Sequence, residues 1–401
     1  MNQSNEIFKS IKKLDGWITK NNFKDYDPFD GLNARYLSLF TFNNHYLRII
    51  LQQAVRRFPI NLRPFFGIKK ETSSKGMGFC ALGYLNLYMA TQDENYLKKM
   101  RLCLDWLTKN ISEGYSGHCW GNHFSYESRG GRIPLGVPTI VWTSLIANVF
   151  FYAYEVFKES KYFDIGKSSC DHILNDIDIY KDSEDVICFM YTPMNEQNHE
   201  GGMSNGYIHN SNVLGAWLLA RLYHHTKDEK LFDLARKSIN YTLKYQLSDG
   251  GWYYGESEKH HWVDSFHTGY NLEAISGYMQ ATGDKKNEDK LKKGFRYFKS
   301  TFFKKDGTPK YYNYKTYPID IQCASQGIQT LVNLREYDPS ALELAMRVAQ
   351  WTIKHMQDPK GYFYFRKYPF ITNKTPMFHW GQATMLSALG TIFKVIKEND
   401  G

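Results

Sequence analysis

Two kinds of helix alternate along this sequence, and the alternation limits the folds that it can adopt. The stretches ATQDENYLKKMRLCLDWLTKN, from Ala90, and HTKDEKLFDLARKSINYTLKYQ, from His225, each combine a polar turn with an amphipathic helix. In the second stretch, apolar residues recur every four positions and form one stripe. Nearly charge-free helices lie between the amphipathic ones, at Gly76–Thr91, Pro138–Phe157, Asn210–Thr226, Phe266–Thr282, Asp320–Glu336 and Pro376–Lys397. A helix without a polar face is buried on all sides, so we expect these six to form the core.

Six apolar helices with amphipathic partners predict a closed ring of helical hairpins. The expected fold class is all-α, an (α/α)6 toroid in a single domain that spans residues 1–401. Residues 1–57 would supply N-terminal helices that close the outer ring, including a helix around Leu32–Arg57. An open solenoid is the alternative, but it needs polar helices at both ends. The last helix, HWGQATMLSALGTIFKVIK, is as apolar as those in the middle of the chain.

The charge distribution indicates which kinds of ligand the protein could bind. The formal net charge is +9 and the pI is about 8.9, but the basic residues are spread along the chain without a run of five like charges. Such a balance favours an anionic ligand weakly and does not indicate a nucleic-acid-binding protein.

Cysteine usage and hydropathy bear on the compartment. The six cysteines form no CxxC pair, and four of them lie in apolar helical patterns, which indicates reduced core residues. Residues 133–154 carry no charge over 22 positions, long enough to span a bilayer. We interpret them as a buried helix because they belong to the repeat. The N-terminal segment is charged and has no signal-peptide core, so we expect a cytoplasmic protein without a membrane span.

The loops that enter the apolar helices are rich in aromatic rings, amides and histidines. In a hairpin ring such loops gather at one end and line a cup, which is the default place for a ligand. Aromatic rings stack on the apolar faces of sugars, while amides, His and Arg bind hydroxyl and carboxylate groups. The alternative is that the rings only fill the centre of the fold. The predicted substrate-binding residues are Trp120, His123, Arg129, Trp142, Asn210, Asn212, Trp252, Tyr253, His261, Trp262, Gln322, His379, Trp380 and Gln382.

Titratable groups at the starts of the apolar helices are the candidate catalysts. His267 and Tyr270 lie three residues apart in FHTGYNLEA and so share one face of a first helical turn. His209 begins the preceding apolar helix, and histidine transfers protons near neutral pH. Asp264 and Asp320 are the best carboxylate pair for a glycosidase, although an Asp at a helix start is often only an N-cap.

Several motifs resemble a known group of proteins. QLSDGGWYYG at Gln246, HWGQA at His379 and the DEKLF pattern of the amphipathic helices resemble the (α/α)6-toroid carbohydrate-active proteins. These include six-hairpin glycosidases, toroidal polysaccharide lyases and the helical domain of glucuronyl C5-epimerases. YDPFDGLNA at Tyr26 and NLRPFFGIKK at Asn61 are similar to a narrower group from bacterial surface-polysaccharide gene clusters. The resemblance implies carbohydrate chemistry, for example in exopolysaccharide biosynthesis, without naming the reaction.

The residue types favour abstraction of a proton next to a carboxylate. A base such as His267 or Tyr270 would remove the C5 proton of a uronate, and Asn or Arg would stabilise the developing enolate. We therefore predict a lyase or C5-epimerase that acts on an acidic oligo- or polysaccharide, and we expect that saccharide to contain uronate. A hydrolase that uses Asp264 and Asp320 is one alternative, and a non-catalytic glycan-binding or polysaccharide-assembly protein is another.

Two further enzyme classes fit the sequence less well. QLSDGGW matches the Gln-x-x-x-Gly-x-Trp motif of terpene cyclases, and FHTGYNLEAISGY is similar to zinc prenyltransferase repeats. The acidic cluster of the cyclases is absent from the sequence. Asp320, Cys323 and His379 could form a zinc site only at an unconvincing spacing, so we expect neither a metal nor another cofactor.

Overall fold

Helices dominate the protein. The structure is a computed structural model that describes residues 3–34, 36–128, 131–193 and 207–400. Within those residues the α-helices are α1 Gln3–Lys20, α2 His45–Arg57, α3 Ser74–Thr91, α4 Glu94–Lys109, α5 Ile140–Phe157, α6 Ser160–Asn175, α7 His209–Thr226, α8 Glu229–Lys244, α9 Ser265–Thr282, α10 Glu288–Phe302, α11 Ile321–Asn333, α12 Ser340–Met356 and α13 Thr384–Asp400. The short strands are β1 Tyr126–Ser128, β2 Gly131–Ile133, β3 Ile179–Ser183, β4 Val186–Phe189, β5 Ile319–Asp320, β6 Arg366–Lys367 and β7 Thr372–Asn373.

The alternation of buried and amphipathic helices is confirmed. In α3, α5, α7, α9 and α11 most residues are buried around the whole helix. In α8 the buried side chains include the predicted stripe, Leu231, Ala235, Ile239 and Leu243. The chain therefore builds an apolar core from one set of helices and covers it with the other.

The chain divides into two compact units. The first comprises Met1–Leu107, Asn122–Arg129 and Phe302–Gly401, and the second comprises Thr108–Gly121 and Gly130–Thr301. In the first unit α11, α13 and α3 lie side by side, with α1 against α12 and α13. In the second unit α5, α7 and α9 lie side by side, with α6 against α5 and α8 against α7.

Glycines permit the close packing of the core helices in both units. A Cβ on Gly83 of α3 would lie 2.9 Å from the Leu386 backbone of α13. A Cβ on Gly277 of α9 would lie 2.2 Å from the Trp217 ring nitrogen of α7. Real Cβ atoms do not approach other atoms so closely, so a side chain at either position would separate the two helices.

The N-terminal region differs from the prediction. The helix expected around Leu32–Arg57 begins only at His45, where the Asn44 side chain caps the first turn of α2. Before it the chain forms two short 3-10 turns, and Phe42 and Asn43 adopt left-handed backbone angles, with φ of 47° and 57°. Two consecutive left-handed residues cannot continue a right-handed helix, which explains why the helix is shorter.

The cysteines and the long apolar helix lie in the interior. All six cysteines are within the described residues, buried and outside any disulfide, as predicted for core residues. By length and composition α5 could cross a membrane, but 67% of that window is buried, as in core helices of soluble proteins. One such helix is weak evidence of a membrane span.

Candidate active site

Asp264 and His267 form a carboxylate–imidazole pair at the start of α9. Asp264 is the N-cap residue, and its Oδ1 accepts the backbone N–H of His267 at 3.0 Å. Its Oδ2 lies 2.7 Å from His267 Nδ1 and also accepts the Trp262 ring N–H at 3.0 Å. One side chain thus caps the helix and orients the imidazole.

The orientation leaves the other imidazole nitrogen available. A carboxylate at Nδ1 holds the proton on that atom, so the neutral ring keeps its lone pair on Nε2. No residue in the described parts of the chain hydrogen-bonds to Nε2 of His267. The His267 side chain is 20% exposed, whereas that of Asp264 is fully buried. This geometry suits a general base whose partner excludes the wrong tautomer.

Aromatic rings stand beside the imidazole. The Tyr254 ring centroid lies 4.4 Å from that of His267 and 4.7 Å from that of Trp262, on which it stacks at 17°. The backbone N–H of Tyr254 donates to the Trp262 carbonyl at 2.8 Å, so the loop doubles back like a hairpin. Tyr254 was not among the predicted residues. The two aromatic runs, WYYG and HHW, are the features of the sequence that could have indicated this pairing.

His209 joins the same loop, but not as a free base. Its Nε2 lies 2.7 Å from Glu256 Oε1 and its Nδ1 lies 3.3 Å from Thr242 Oγ1. The side chain of His209 is fully buried, while that of Glu256 is 21% exposed. Because both ring nitrogens have partners, His209 can hold Glu256 in place but cannot accept a proton directly from a ligand. Its catalytic role remains a prediction, and the two contacts favour a positioning role instead.

Tyr270 and Trp252 are buried, contrary to expectation. Tyr270 is 4% exposed and packs edge-on against Phe266, because a residue three positions after His267 is rotated towards the neighbouring helices. Trp252 is 1% exposed, donates its ring N–H to the Thr242 carbonyl at 2.8 Å and lies over Gly294 of α10. Neither ring offers an exposed face, and the roles of base and sugar platform remain predictions that this burial does not support.

Of the other predicted residues of the second unit, some are buried in the core and some lie on the accessible side of the loop before α9. The Asn212 side chain makes four hydrogen bonds, to Phe189, Ser238 and Thr242, and ties α7 to α8 and β4. The residues Trp120, Trp142 and Asn210 are likewise buried, and Trp120 stacks on Phe150. These four lie in the core, and their substrate-binding roles remain predictions. Tyr253 and His261 stack at 4.3 Å on the accessible side of the loop, with His261 exposed.

Asp320 of the first unit is a structural carboxylate. It is fully buried and caps α11 through the Gln322 N–H. It also accepts from the Trp380 ring N–H at 2.9 Å and from Arg366 Nε at 2.5 Å. Both carboxylate oxygens of Asp320 accept from protein donors, as those of Asp264 do, and this arrangement favours a structural role. The carboxylate pair of a glycosidase remains a prediction.

Four further predicted residues of the first unit are buried, namely Gln322, His379, Trp380 and Gln382, whereas His123 is half-buried. Gln382 bonds both the N–H and the carbonyl of Phe363, at 2.7 and 2.8 Å, and therefore has a structural role. His379 forms an ion pair with Asp27. Burial lowers the pKa of nearby His123 to about 4, which keeps that ring neutral. Gln322 is buried, and Arg129 lies outside the described residues.

Two features of the first unit escaped prediction. His379 and Trp380 lie in a π-helical turn, Phe378–Ala383, a distortion that is frequent at functional sites. Lys75 at the start of α3 is buried, and burial lowers its pKa to about 8 against the opposing effect of Asp27. Nothing in the local hydropathy identified either feature.

The described residues contain no group of three or more His, Cys, Asp or Glu side chains that could hold a metal ion. The zinc site weighed for Asp320, Cys323 and His379 does not fit the geometry. The oxygens of Asp320 accept from Arg366, Trp380 and Gln322, and His379 faces Asp27. Asp320 and His379 are therefore engaged with partners from the protein itself.

Comparison with known proteins establishes the architecture. No protein-family model and no curated protein matches the sequence. Among solved structures, a cellobiose 2-epimerase from Bacillus thermoamylovorans aligns with a TM-score of 0.62 and 13% identity, over 82% of this chain and 90% of its own. A GH76 α-mannanase from Bacteroides thetaiotaomicron aligns with a TM-score of 0.60 and 12% identity, over 84% and 90%. The Lin0763 protein from Listeria innocua aligns with a TM-score of 0.62 and 12% identity, over 99% of both chains.

The chain has an (α/α)6 toroid fold. The predicted fold class is thereby confirmed, and the open solenoid is not the architecture of these neighbours. The same fold carries epimerases and glycoside hydrolases, including those of families GH105 and GH88. At such low sequence identity the comparison establishes the fold alone. The reaction depends on the side chains of the site.

Proposed function

We propose that this protein is a carbohydrate-active enzyme that removes a proton from a sugar carbon next to a carbonyl or carboxylate group, as an epimerase or a lyase. The observation that carries the proposal is the pair formed by Asp264 and His267, with Nδ1 of the imidazole fixed and the ring partly exposed. Such a pair fixes which ring nitrogen accepts a proton and the direction in which it points. General acid–base groups typically contribute about 10²–10⁴-fold to rate.

The surroundings of His267 suit a sugar. The stacked rings of Tyr254 and Trp262 lie on one side of the imidazole, and Tyr253 stacks with His261 in the same loop. Aromatic faces bind the apolar side of a pyranose and would hold it against the base. Glu256, which is partly exposed and held by His209, is positioned to bind hydroxyl groups.

Hydrolysis through the predicted carboxylates has weaker support. A glycosidase needs one carboxyl group as acid and another as base or nucleophile. The buried oxygens of Asp264 and Asp320 are each committed to protein donors. Among the neighbours, the epimerases favour proton transfer at carbon and the glycoside hydrolases keep hydrolysis as the alternative to be tested.

The substrate class that we propose is an acidic, uronate-containing oligo- or polysaccharide. A carboxylate acidifies the adjacent C5–H, and the protein's net charge of +9 favours an anionic partner. Both features agree with the sequence resemblance to proteins of surface-polysaccharide gene clusters.

A single set of incubations tests the proposal. Uronate-containing oligosaccharides are incubated with the protein in D2O and followed by NMR and ultraviolet absorbance. Exchange of the C5 proton with deuterium supports an epimerase, and a 4,5-unsaturated product supports a lyase. New reducing ends without either signal would replace the proposal by hydrolysis. Binding without any turnover would replace it by a glycan-binding role.

A further inference from the structure

Two arginines of the first unit are linked to Trp380, one through Asp320 and one through a ring contact. Arg366 Nε is 2.5 Å from Asp320 Oδ2, and the Trp380 ring N–H donates to Asp320 Oδ1. Arg56, near the end of α2, stands over the Phe29 ring with its Cζ 4.3 Å from the centroid and 6.0 Å from that of Trp380. Arg56 therefore approaches the indole directly, and Arg366 binds the carboxylate to which the indole donates.

The second arginine has no counterion of its own. Within the described residues Arg56 forms no ion pair, and its Nε is buried without a hydrogen-bond partner. Burial and the charge of Arg366 lower the pKa of Arg56. A buried guanidinium N–H that lacks an acceptor costs free energy. Among the described residues, no carboxylate forms an ion pair that would compensate the positive charge of Arg56.

Two carboxylates of this part of the first unit already have protein partners. Asp320 accepts from Arg366, Trp380 and the cap of α11. Glu127 follows Tyr126, whose ring meets Phe29 edge-on at 5.1 Å, but Glu127 is bound by Arg48 at 2.6 Å and by His45 at 2.7 Å. The protein has thus placed two cations at this position and supplied one carboxylate.

We propose that Arg56 and Arg366, with the rings of Trp380 and Phe29, form a subsite for the carboxylate of an acidic saccharide. Arginine binds carboxylates through parallel N–H donors, and it is less strongly hydrated than lysine. Arg56 is half-buried, which leaves a side from which a ligand can approach. This subsite would recognise the substrate class proposed above, so the inference rests on the proposed function. The binding test of the subsite does not depend on His267.

A matched pair of variants tests the subsite. Arg56→Met removes the guanidinium but keeps an apolar stem over Phe29. Arg57→Met removes the same charge from the neighbouring exposed position of α2. Binding is measured by calorimetry with trigalacturonic acid and with its carboxyl-reduced, neutral counterpart. Inorganic sulfate and a sulfated galactose trisaccharide distinguish a carboxylate site from a general oxyanion site.

We expect the preference for the acidic probe to depend on Arg56 and on the carboxylate groups of the probe. The wild type should bind trigalacturonic acid roughly 10–100-fold more tightly than the reduced trisaccharide, as expected for a charge-assisted pair of hydrogen bonds. Arg56→Met should lose that preference and Arg57→Met should keep it. Equal affinity for both probes, failure to bind either, equal loss in both variants, or stronger binding of the sulfated probe would overturn the inference.

Stability separates a binding role from a structural one. Because Arg56 is a poorly compensated cation, Arg56→Met should melt at the same temperature as the wild type or higher, and trigalacturonic acid should no longer raise its Tm. A large fall in Tm would instead assign Arg56 to the fold. His267→Ala should retain the preference for the acidic probe, so loss of turnover and loss of binding can be told apart.

Discussion

His267 Nδ1 lies 2.7 Å from Oδ2 of Asp264, the residue that caps the helix on which His267 stands. Other histidines also contact carboxylates, but the rings of His172, His209 and His379 are buried. His45 and His225 are accessible, at 32% and 19%, but Glu127 is shared with Arg48 and Glu155 is shared with Arg221. Accessibility together with a carboxylate that no cation shares therefore distinguishes His267.

His267→Ala should lower turnover without unfolding the protein. Loss of a general base costs about 10²–10⁴-fold in rate, whereas a partly exposed ring contributes little to the core. The matched control is His172→Ala, since His172 has the same Nδ1–carboxylate contact, to Asp176 at 2.8 Å, but is fully buried. That variant should lose about 1–3 kcal/mol of stability and keep its turnover per folded molecule. An early-melting His267→Ala with near-normal turnover would contradict the catalytic assignment.

Asp264→Asn should separate the two roles of this carboxylate. Asparagine caps helices about as well as aspartate, so the Tm should change little. The amide carries no charge to hold the imidazole proton on Nδ1, so turnover should fall by roughly 10²-fold or more. Asp228→Asn, at the exposed N-cap of α8, is the control and should change neither quantity. A double variant, Asp264→Asn with His267→Ala, that is much slower than His267→Ala alone would show that Asp264 acts independently of the imidazole.

Trp252→Ala should damage the fold, and Trp262→Ala should damage binding. Removing a fully buried indole typically costs about 3–5 kcal/mol, and Trp252 fills the space above Gly294. Trp262 is half-buried and stacks on Tyr254, so its loss should mainly weaken saccharide affinity. Urea unfolding and calorimetry on both variants provide the measurements. Weaker sugar binding by folded Trp252→Ala than by Trp262→Ala would restore the platform role first expected of Trp252.

Asp320→Ala should be strongly destabilising. It leaves the Arg366 guanidinium buried without its carboxylate, a change that typically costs about 3–5 kcal/mol. Glu343→Ala breaks the exposed ion pair with Arg347 and should cost less than about 1 kcal/mol. The free energies of unfolding come from urea titration. An Asp320→Ala protein of normal stability that has lost only turnover would return Asp320 to the list of catalysts.

His123 should make the protein less stable in mild acid. Its folded pKa is about 4 because burial disfavours the charged ring, while an unfolded histidine titrates near 6.5. Its contribution is therefore complete above the unfolded pKa and is lost as pH falls from about 6.5 towards 4, where the unfolded chain binds the extra proton. The loss between pH 7 and pH 5 is about 2 kcal/mol. His123→Gln should show a shallower decline over this range, and the exposed His261→Gln should keep the wild-type slope. Parallel slopes for all three proteins would contradict the effect.

Much of the fold could be predicted because its causes are local. Periodicity sets which face of α8 is apolar, and the scarcity of charged residues marks α5 and α9 as core helices. Aspartates before helices predicted N-caps, and Asp264 and Asp320 both act as caps. The false extension of α2 arose at Phe42 and Asn43, whose backbone angles hydropathy does not report.

The candidate site depended on information that no local pattern contains. By itself, the sequence determined the helical repeat and an aromatic, histidine-rich loop before α9. Only the tertiary structure decided that Trp252 is buried over Gly294, that His209 is enclosed by Glu256 and Thr242, and that His267 remains accessible. Burial and charge pairing are set by residues distant in sequence, as Arg366 is from Asp320. Residue type therefore indicated the available chemistry, and packing decided which side chains can perform it.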